Sequence, residues 1–339
     1  MYKTFIQILF SYESTRIILV ELAIERKVAL LGNELHVNIL TSIIRKAGSQ
    51  QVSLYPYYRT DSLTGIVSTY AKLVKFIFTN GRNGVLHIMY PSHKLSLKTA
   101  LTAMKKGLRI VFHWVGSDIL LAMKRNYFIE YSKLFQHASH ITVAPWLGDE
   151  LREYGITVEA IVPLLPVDQI DQLTELIRYL PSQFSIGYYL PEGKETFYNY
   201  KIIERISGLN SDFKLYIVGS RNTMSNPNVE YLGKLPRDLM PSMFYKKIMV
   251  LVRMPAHDGL SQMVMETLLS GRFVVYNKSL DLPCVYHVKD EDEAMSKLID
   301  LYESYNKGKL KPNLVCREGL LERFNPKTLA LKLINSWFA

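Results

Sequence analysis

Residues 249–277 read MVLVRMPAHDGLSQMVMETLLSGRFVVYN and gather the densest set of chemically capable groups in the chain. An apolar run ends at Arg253, a loop carries His257-Asp258-Gly259, and a helical stretch starts near Ser261. Asp258 stands ahead of that helix and Glu266 inside it. The first amides of a helix lack partners and mark its positive dipole end, an anion site suited to phosphate. Arg253 beside it adds a permanent cation with bidentate geometry.

Two further clusters directly follow apolar runs: Gly32-Asn33-Glu34 and His113-Trp114-Val115-Gly116-Ser117-Asp118. In an open α/β sheet, ligands bind beyond the carboxyl ends of the strands, so polar residues at such points are expected in a cleft. The first cluster is either a plain strand–helix turn or an approach to acceptor or donor phosphates. Asp118 is read both as a helix N-cap and as a cleft acid, and His113 as a cleft side chain. Metal chemistry finds little footing. There is no His-x3-His or Cys-x2-Cys spacing, and Asp290-Glu291-Asp292 reads as dipole-favouring charge opening a helix.

The elements that position these groups alternate. Short apolar strands are expected at residues 28–31, 52–55, 85–89, 110–113, 141–143 and 160–162. Helices are expected at 35–46, 66–78, 95–106, 119–135 and 150–154, with Gly48 as a C-terminal cap. After prolines 163 and 166 and a helix at 170–179, a second series of strands is expected at 184–190, 214–218, 229–232, 249–252 and 273–276. Helices at 291–305 and 329–337 follow. Strand, glycine turn, helix and parallel strand make the βαβ unit of a doubly wound sheet. The chain therefore reads as two α/β domains: 1–163, with 1–26 as an extension or interfacial anchor, and 183–325. A linker is expected at 164–182, and a terminal segment 326–339 is expected to return to the first domain.

The register Asp258-x7-Glu266 followed by Ser270-Gly271-Arg272-Phe273-Val274-Val275 resembles the donor-domain signature of GT-B glycosyltransferases, closest to glycosyltransferase family 4. Residues 184–194 (FSIGYYLPEGK), 215–222 (LYIVGSRN) and 229–236 (VEYLGKLP) resemble that domain's earlier strands and turns in the same order. The resemblance implies two Rossmann-like doubly wound domains facing a cleft. It implies that Glu266 holds the ribose of a nucleotide sugar and that Asp258 contacts the transferred sugar. The amides of Gly259, Leu260 and Ser261, the turn at Gly219, and Lys194 would then lie near the diphosphate. Tyr188 stands where the family commonly has an arginine, and Arg253 is assigned that missing charge. His113 matches a position from which relatives reach the donor sugar. The resemblance further implies retention at the anomeric carbon, no bound metal and no cofactor beyond the nucleotide-sugar donor, with a UDP, GDP or ADP carrier left open.

Composition constrains the partners. The chain has 339 residues and a formal charge of +10. Residues 1–163 hold 19 Lys+Arg against 11 Asp+Glu, and the remainder 22 against 20. The excess therefore belongs to the acceptor-side domain and suits an anionic partner or surface. Helices 66–78 and 95–106, with Lys72, Lys75, Lys98, Lys105 and Lys106, suit a lipid-linked acceptor at a membrane face. A DNA-modifying glucosyltransferase and an inactive nucleotide-binding relative are the competing readings. Glycan, lipid or another hydroxyl acceptor all fit. No run of 18 apolar residues exists, so no transmembrane helix is expected. Cys284 and Cys316 are too few for a disulfide framework and fit a reducing, cytoplasmic setting, including the inner face of a membrane.

Overall fold

A computed structural model describes residues 27–48, 52–209, 212–221, 226–282 and 285–338. The expectations for residues 1–26 and for Cys284 fall outside it. Two six-stranded, wholly parallel sheets organise the chain. The first contains β1 (Lys27–Gly32), β2 (Ser53–Tyr58), β3 (Gly84–Met89), β4 (Arg109–Trp114), β5 (Ser139–Thr142) and β6 (Ala160–Ile161), in the order β2-β1-β3-β4-β5-β6. The second contains β7 (Ser185–Tyr189), β8 (Lys214–Val218), β9 (Val229–Gly233), β10 (Val250–Arg253), β11 (Phe273–Tyr276) and β12 (Val285–His287), in the order β12-β11-β10-β7-β8-β9.

Helices cover both faces of such sheets, so central strands must be apolar throughout rather than alternating. β3, β10 and β11 are buried at every position, whereas β2, at the sheet edge, is half exposed. The strand order reverses between β1 and β3 in the first sheet and between β7 and β10 in the second. These switch points are where a doubly wound sheet opens a crevice. They aim the loops after Gly32, Met89, Tyr189 and Arg253 at ligand-binding positions.

Three expectations change. The helix read at 119–135 breaks into Ser117–Lys124, Tyr127–Glu130 and Ser132–His137, because Asn126 adopts a left-handed backbone (φ 55°) that no helix continues through. The helix read at 170–179 ends at Glu175 and tightens into a 3-10 turn, Leu176–Arg178. A segment the periodicity did not reveal, Arg237–Leu239 followed by the π-turn Pro241–Tyr245, leads into β10. Gly48 (φ 72°) follows the first helix, Glu34–Lys46, as expected of a C-terminal glycine.

Helix Pro326–Phe338 packs against helix Glu34–Lys46 and against β4 and β6 of the first sheet. It is held there by Arg109 Nε donating to the Ser336 carbonyl (2.9 Å) and by Trp337, fully buried, donating to His87 Nδ1 (2.8 Å). Helix Gln262–Leu269 lies against helices Ile170–Glu175 and Leu314–Arg323. Cys316 is buried in the latter helix. No described helix is long and apolar enough to cross a membrane.

Candidate active site between the two sheets

The loop after β10 returns to the strand that launches it. Arg253 is 7% exposed and grips Asp258 with both ends of its fork, Nε to Oδ2 at 2.8 Å and Nη2 to Oδ1 at 3.1 Å. Tyr189 and Tyr198 lie 5.6 and 5.1 Å from the guanidinium, and the Tyr276 hydroxyl donates to both Asp258 Oδ2 (3.2 Å) and the Gly259 carbonyl (2.8 Å). Arg253 therefore does not stand as an isolated phosphate clamp, as the sequence suggested. Its charge is neutralised by the neighbouring acid, and only Nη1 is left without a partner. Separation along the chain concealed the pairing, because the loop turns back on itself within five residues.

Glu266 sits inside helix Gln262–Leu269, 4% exposed. The Tyr245 hydroxyl donates to Oε2 at 2.5 Å, and Arg237 Nε lies 3.9 Å from Oε1 while its two terminal nitrogens hold Asp168 at 2.6 and 2.9 Å. Burial raises the Glu266 pKa to about 7, against the opposing pull of the Tyr245 hydrogen bond and Arg237. The carboxylate is thus held by one hydroxyl and faces a partly shared cation. Such a group gains when a ligand supplies two more donors, as ribose hydroxyls do. Ser261 is the N-cap, with no side-chain cap bond, and remains partly exposed, whereas Gly259 and Leu260 are buried.

Gly259 is buried because the first domain meets it. A Cβ on Gly116 (φ 145°) would stand 2.5 Å from the Gly259 amide nitrogen, and a Cβ on Gly259 would overlap the Val115 carbonyl. Only a glycine pair allows this approach. Trp146 Nε1 donates to the Asp258 carbonyl (2.8 Å) and His257 Nε2 meets Glu150 Oε2 (2.8 Å), closing the same seam. Asp118 sets the loop on the first-domain side. Fully buried, it accepts from the amides of Val115 (3.1 Å) and Gly116 (2.7 Å). Gly116, not Asp118, is the N-cap of helix Ser117–Lys124. Burial raises the Asp118 pKa to about 7 despite those amides.

His113 is not a cleft residue. Its ring lies on the sheet face covered by helix Pro326–Phe338, where it is fully buried and donates from Nε2 to the Val162 carbonyl (2.9 Å). A carbonyl only accepts, so in the neutral ring Nδ1 must accept from His87 Nε2 (3.3 Å), and His87 Nδ1 accepts from Trp337. Both rings are held neutral, because burial pulls His113 down to about 3 and His87 well below its ordinary value. The chain of hydrogen bonds ties the terminal helix to the sheet.

At the β1/β3 switch point Asn33 caps helix Glu34–Lys46, its Oδ1 accepting from the His36 amide (2.8 Å), while Glu34 is exposed in the first turn. Gly32 closes β1, and its carbonyl accepts from the Arg59 amide (2.7 Å). Asn33 lines a cavity of about 570 Å³ with Arg59, Tyr70, Tyr90, His93 and Lys94. Sequence reading missed this cavity. The loop after β3, residues 90–94, satisfied the same strand-end criterion as His113 and was the available signal. On the donor side, Lys194 is exposed beyond β7 and Gly219 ends β8, its amide donating to the Gly233 carbonyl (2.8 Å). Ser220, 3% exposed, has a hydroxyl without a partner beside that turn. Tyr188 is buried, its hydroxyl donating to the Tyr198 carbonyl, and so leaves no charge where an arginine was looked for. Asp290 caps helix Glu291–Asn306, and no described group of His, Cys, Asp and Glu is arranged to hold a metal ion.

No family model matches this sequence, and no curated protein matches it. Solved structures do match in fold. Anabaena HepE, in complex with UDP and glucose, superposes with a TM-score of 0.65 at 11% identity, covering 92% of this chain and 99% of that one. A UDP-forming α,α-trehalose-phosphate synthase from Burkholderia vietnamiensis gives 0.64 at 10%, covering 93% and 98%. The lipopolysaccharide outer core galactosyltransferase WaaB, in its apo form, gives 0.59 at 13%, covering 92% and 99%. The two-domain fold of this chain is the one these glycosyltransferases share.

Proposed function

We propose that the protein transfers a sugar from a nucleotide-sugar donor to an acceptor hydroxyl, with residues 183–325 holding the donor and 1–163 the acceptor. The observation that carries this reading is the seam where Asp258-Gly259 and the first-domain loop 115–118 meet at the carboxyl ends of both sheets, with Glu266 in the helix that follows. Glu266 would accept from the ribose, and Asp258, oriented by the Arg253 fork, would accept from hydroxyls of the transferred sugar. As the nucleoside diphosphate leaves, Lys194 and the amides at the start of helix Gln262–Leu269 would stabilise its growing charge. The glycine seam must part to admit the donor, so closure would follow binding and exclude water. Retention follows from the resemblance, with the leaving phosphate assisting removal of the acceptor proton.

The acceptor would enter the cavity lined by Asn33, Arg59 and Tyr90. Helix Leu63–Asn80 presents Leu63, Val67, Val74 and Phe78 to solvent, 76, 61, 42 and 60% exposed, beside Lys72 and Lys75. That mixture favours an acceptor delivered from an anionic lipid surface. A second reading, nucleotide binding without transfer, is favoured by the full pairing of Arg253 with Asp258. Incubation with UDP-, GDP- and ADP-sugars, scored by nucleotide release with Glu266→Ala as control, separates the two. Release by wild type alone supports transfer, and binding without release supports the second reading. Absence of both refutes the donor site. NMR of the product's anomeric proton tests retention.

A further inference from the structure

A second large cavity lies away from the seam, at the amino ends of strands in the second sheet. Its volume is about 720 Å³, and it is walled by the 172–181 segment, the turn 238–246 and Arg272. Arg272 immediately precedes β11, so it belongs to the amino ends of the strands rather than their carboxyl ends. Its side chain is 1% exposed and makes a single long hydrogen bond, Nε to the Tyr245 carbonyl at 3.4 Å, while Nη1 is buried without a partner. A buried guanidinium left this open is costly unless something pairs with it. Arg178 and Lys246 line the same space from exposed positions and make no ion pair in the structure. Glu175, Asp238 and Ser242 add acceptors on the remaining walls.

We propose that this cavity is a binding site for a phosphomonoester that carries hydroxyl groups. Arg272, Arg178 and Lys246 would take the phosphate, and Glu175 and Asp238 the hydroxyls. Guanidinium forks match phosphate oxygens, and the space suits a small phosphorylated ligand. The site shares a wall with the donor machinery. The turn Pro241–Tyr245 gives Arg272 its backbone acceptor and gives Glu266 its hydroxyl donor, so occupancy acts one residue away from Glu266. π-turns recur at positions of this kind. The inference does not depend on sugar transfer, because it concerns binding alone.

Calorimetric titration of the full chain with inorganic phosphate and with glucose 6-phosphate tests it. Saturable binding is expected, tighter for the sugar phosphate and at least tenfold weaker in Lys246→Glu and Arg178→Glu. Those two exposed substitutions leave the core intact, so the test does not rest on Arg272→Met, which is expected to abolish binding. Hydrogen exchange in residues 241–245 should slow when glucose 6-phosphate is present. No saturable heat up to 10 mM ligand (about the weakest affinity a built site would show) overturns the proposal. So does binding that survives Lys246→Glu and Arg178→Glu.

Discussion

Replacing Glu266 by glutamine should stabilise the protein at neutral and alkaline pH while weakening nucleotide binding. The folded carboxyl ionises near pH 7 against 4.5 for an ordinary glutamate. Its pKa is raised, so the folded state holds the proton more tightly than the unfolded one. The stability associated with that proton is complete below pH 4.5 and is lost as pH rises through 7. Moving the ionisation that far costs the charged form roughly 3 kcal/mol at pH 8. Glutamine keeps the shape and can still accept from Tyr245, but it never ionises. The expected result is near-equal thermal midpoints at pH 4.5 and a variant that melts higher at pH 8. In a unit of this size each kcal/mol is worth about 2–4 °C. Midpoints measured across that range, with nucleotide affinity in parallel, check both halves. A variant less stable than wild type at pH 8 would refute the reasoning, since it would mean that Tyr245 and Arg237 more than compensate for burial of the charge.

Other outcomes follow from the same geometry. Arg253→Met strands Asp258 beside a buried site and should cost about 3–5 kcal/mol, seen as an earlier urea midpoint; Arg253→Met with Asp258→Asn should recover much of that loss. Gly259→Ala places a methyl against the Val115 carbonyl, so the seam should open, with a larger radius of gyration by small-angle scattering. Glu266→Gln should leave that radius unchanged. Acidification below pH 6.5 should destabilise the fold. Burial pulls His36, His113 and His140 down to about 4, 3 and 4, and His87 down as well, so these rings stay neutral until unfolding lets them charge. Glu266 and Asp118 act in the opposite direction over the same range. For these six groups the balance at pH 5.5 is uptake of about two protons on unfolding, measurable by calorimetry in buffers of different ionisation enthalpy. Uptake of none would contradict the burial argument.

What the sequence determined was the order of the elements. Unbroken apolar runs such as residues 28–31 and 273–276 could only be central parallel strands. Glycine-punctuated helices between them then required crossover connections, and the crossovers required a doubly wound sheet. The register of Asp258 and Glu266 was likewise local, because one helix and its cap fix where both residues lie along the chain. Tertiary structure decided which way side chains face and what they meet. His113 and Asp118 stand close together after one apolar run, yet the terminal helix buries the His113 ring, and the Gly116 turn folds Asp118 back onto two amides. Arg253 reads as a free cation until the loop returns Asp258 to it. Tyr245 and Arg237 come from an irregular turn with no periodic signature, and Trp337 reaches His87 across 250 residues. Arg272 looked like part of a strand-leading motif, and only the packing of the 172–181 segment over it shows a buried charge with room for a partner. Periodicity reports which face of an element is apolar. The pairing of its polar groups is set by surfaces brought together from distant parts of the chain.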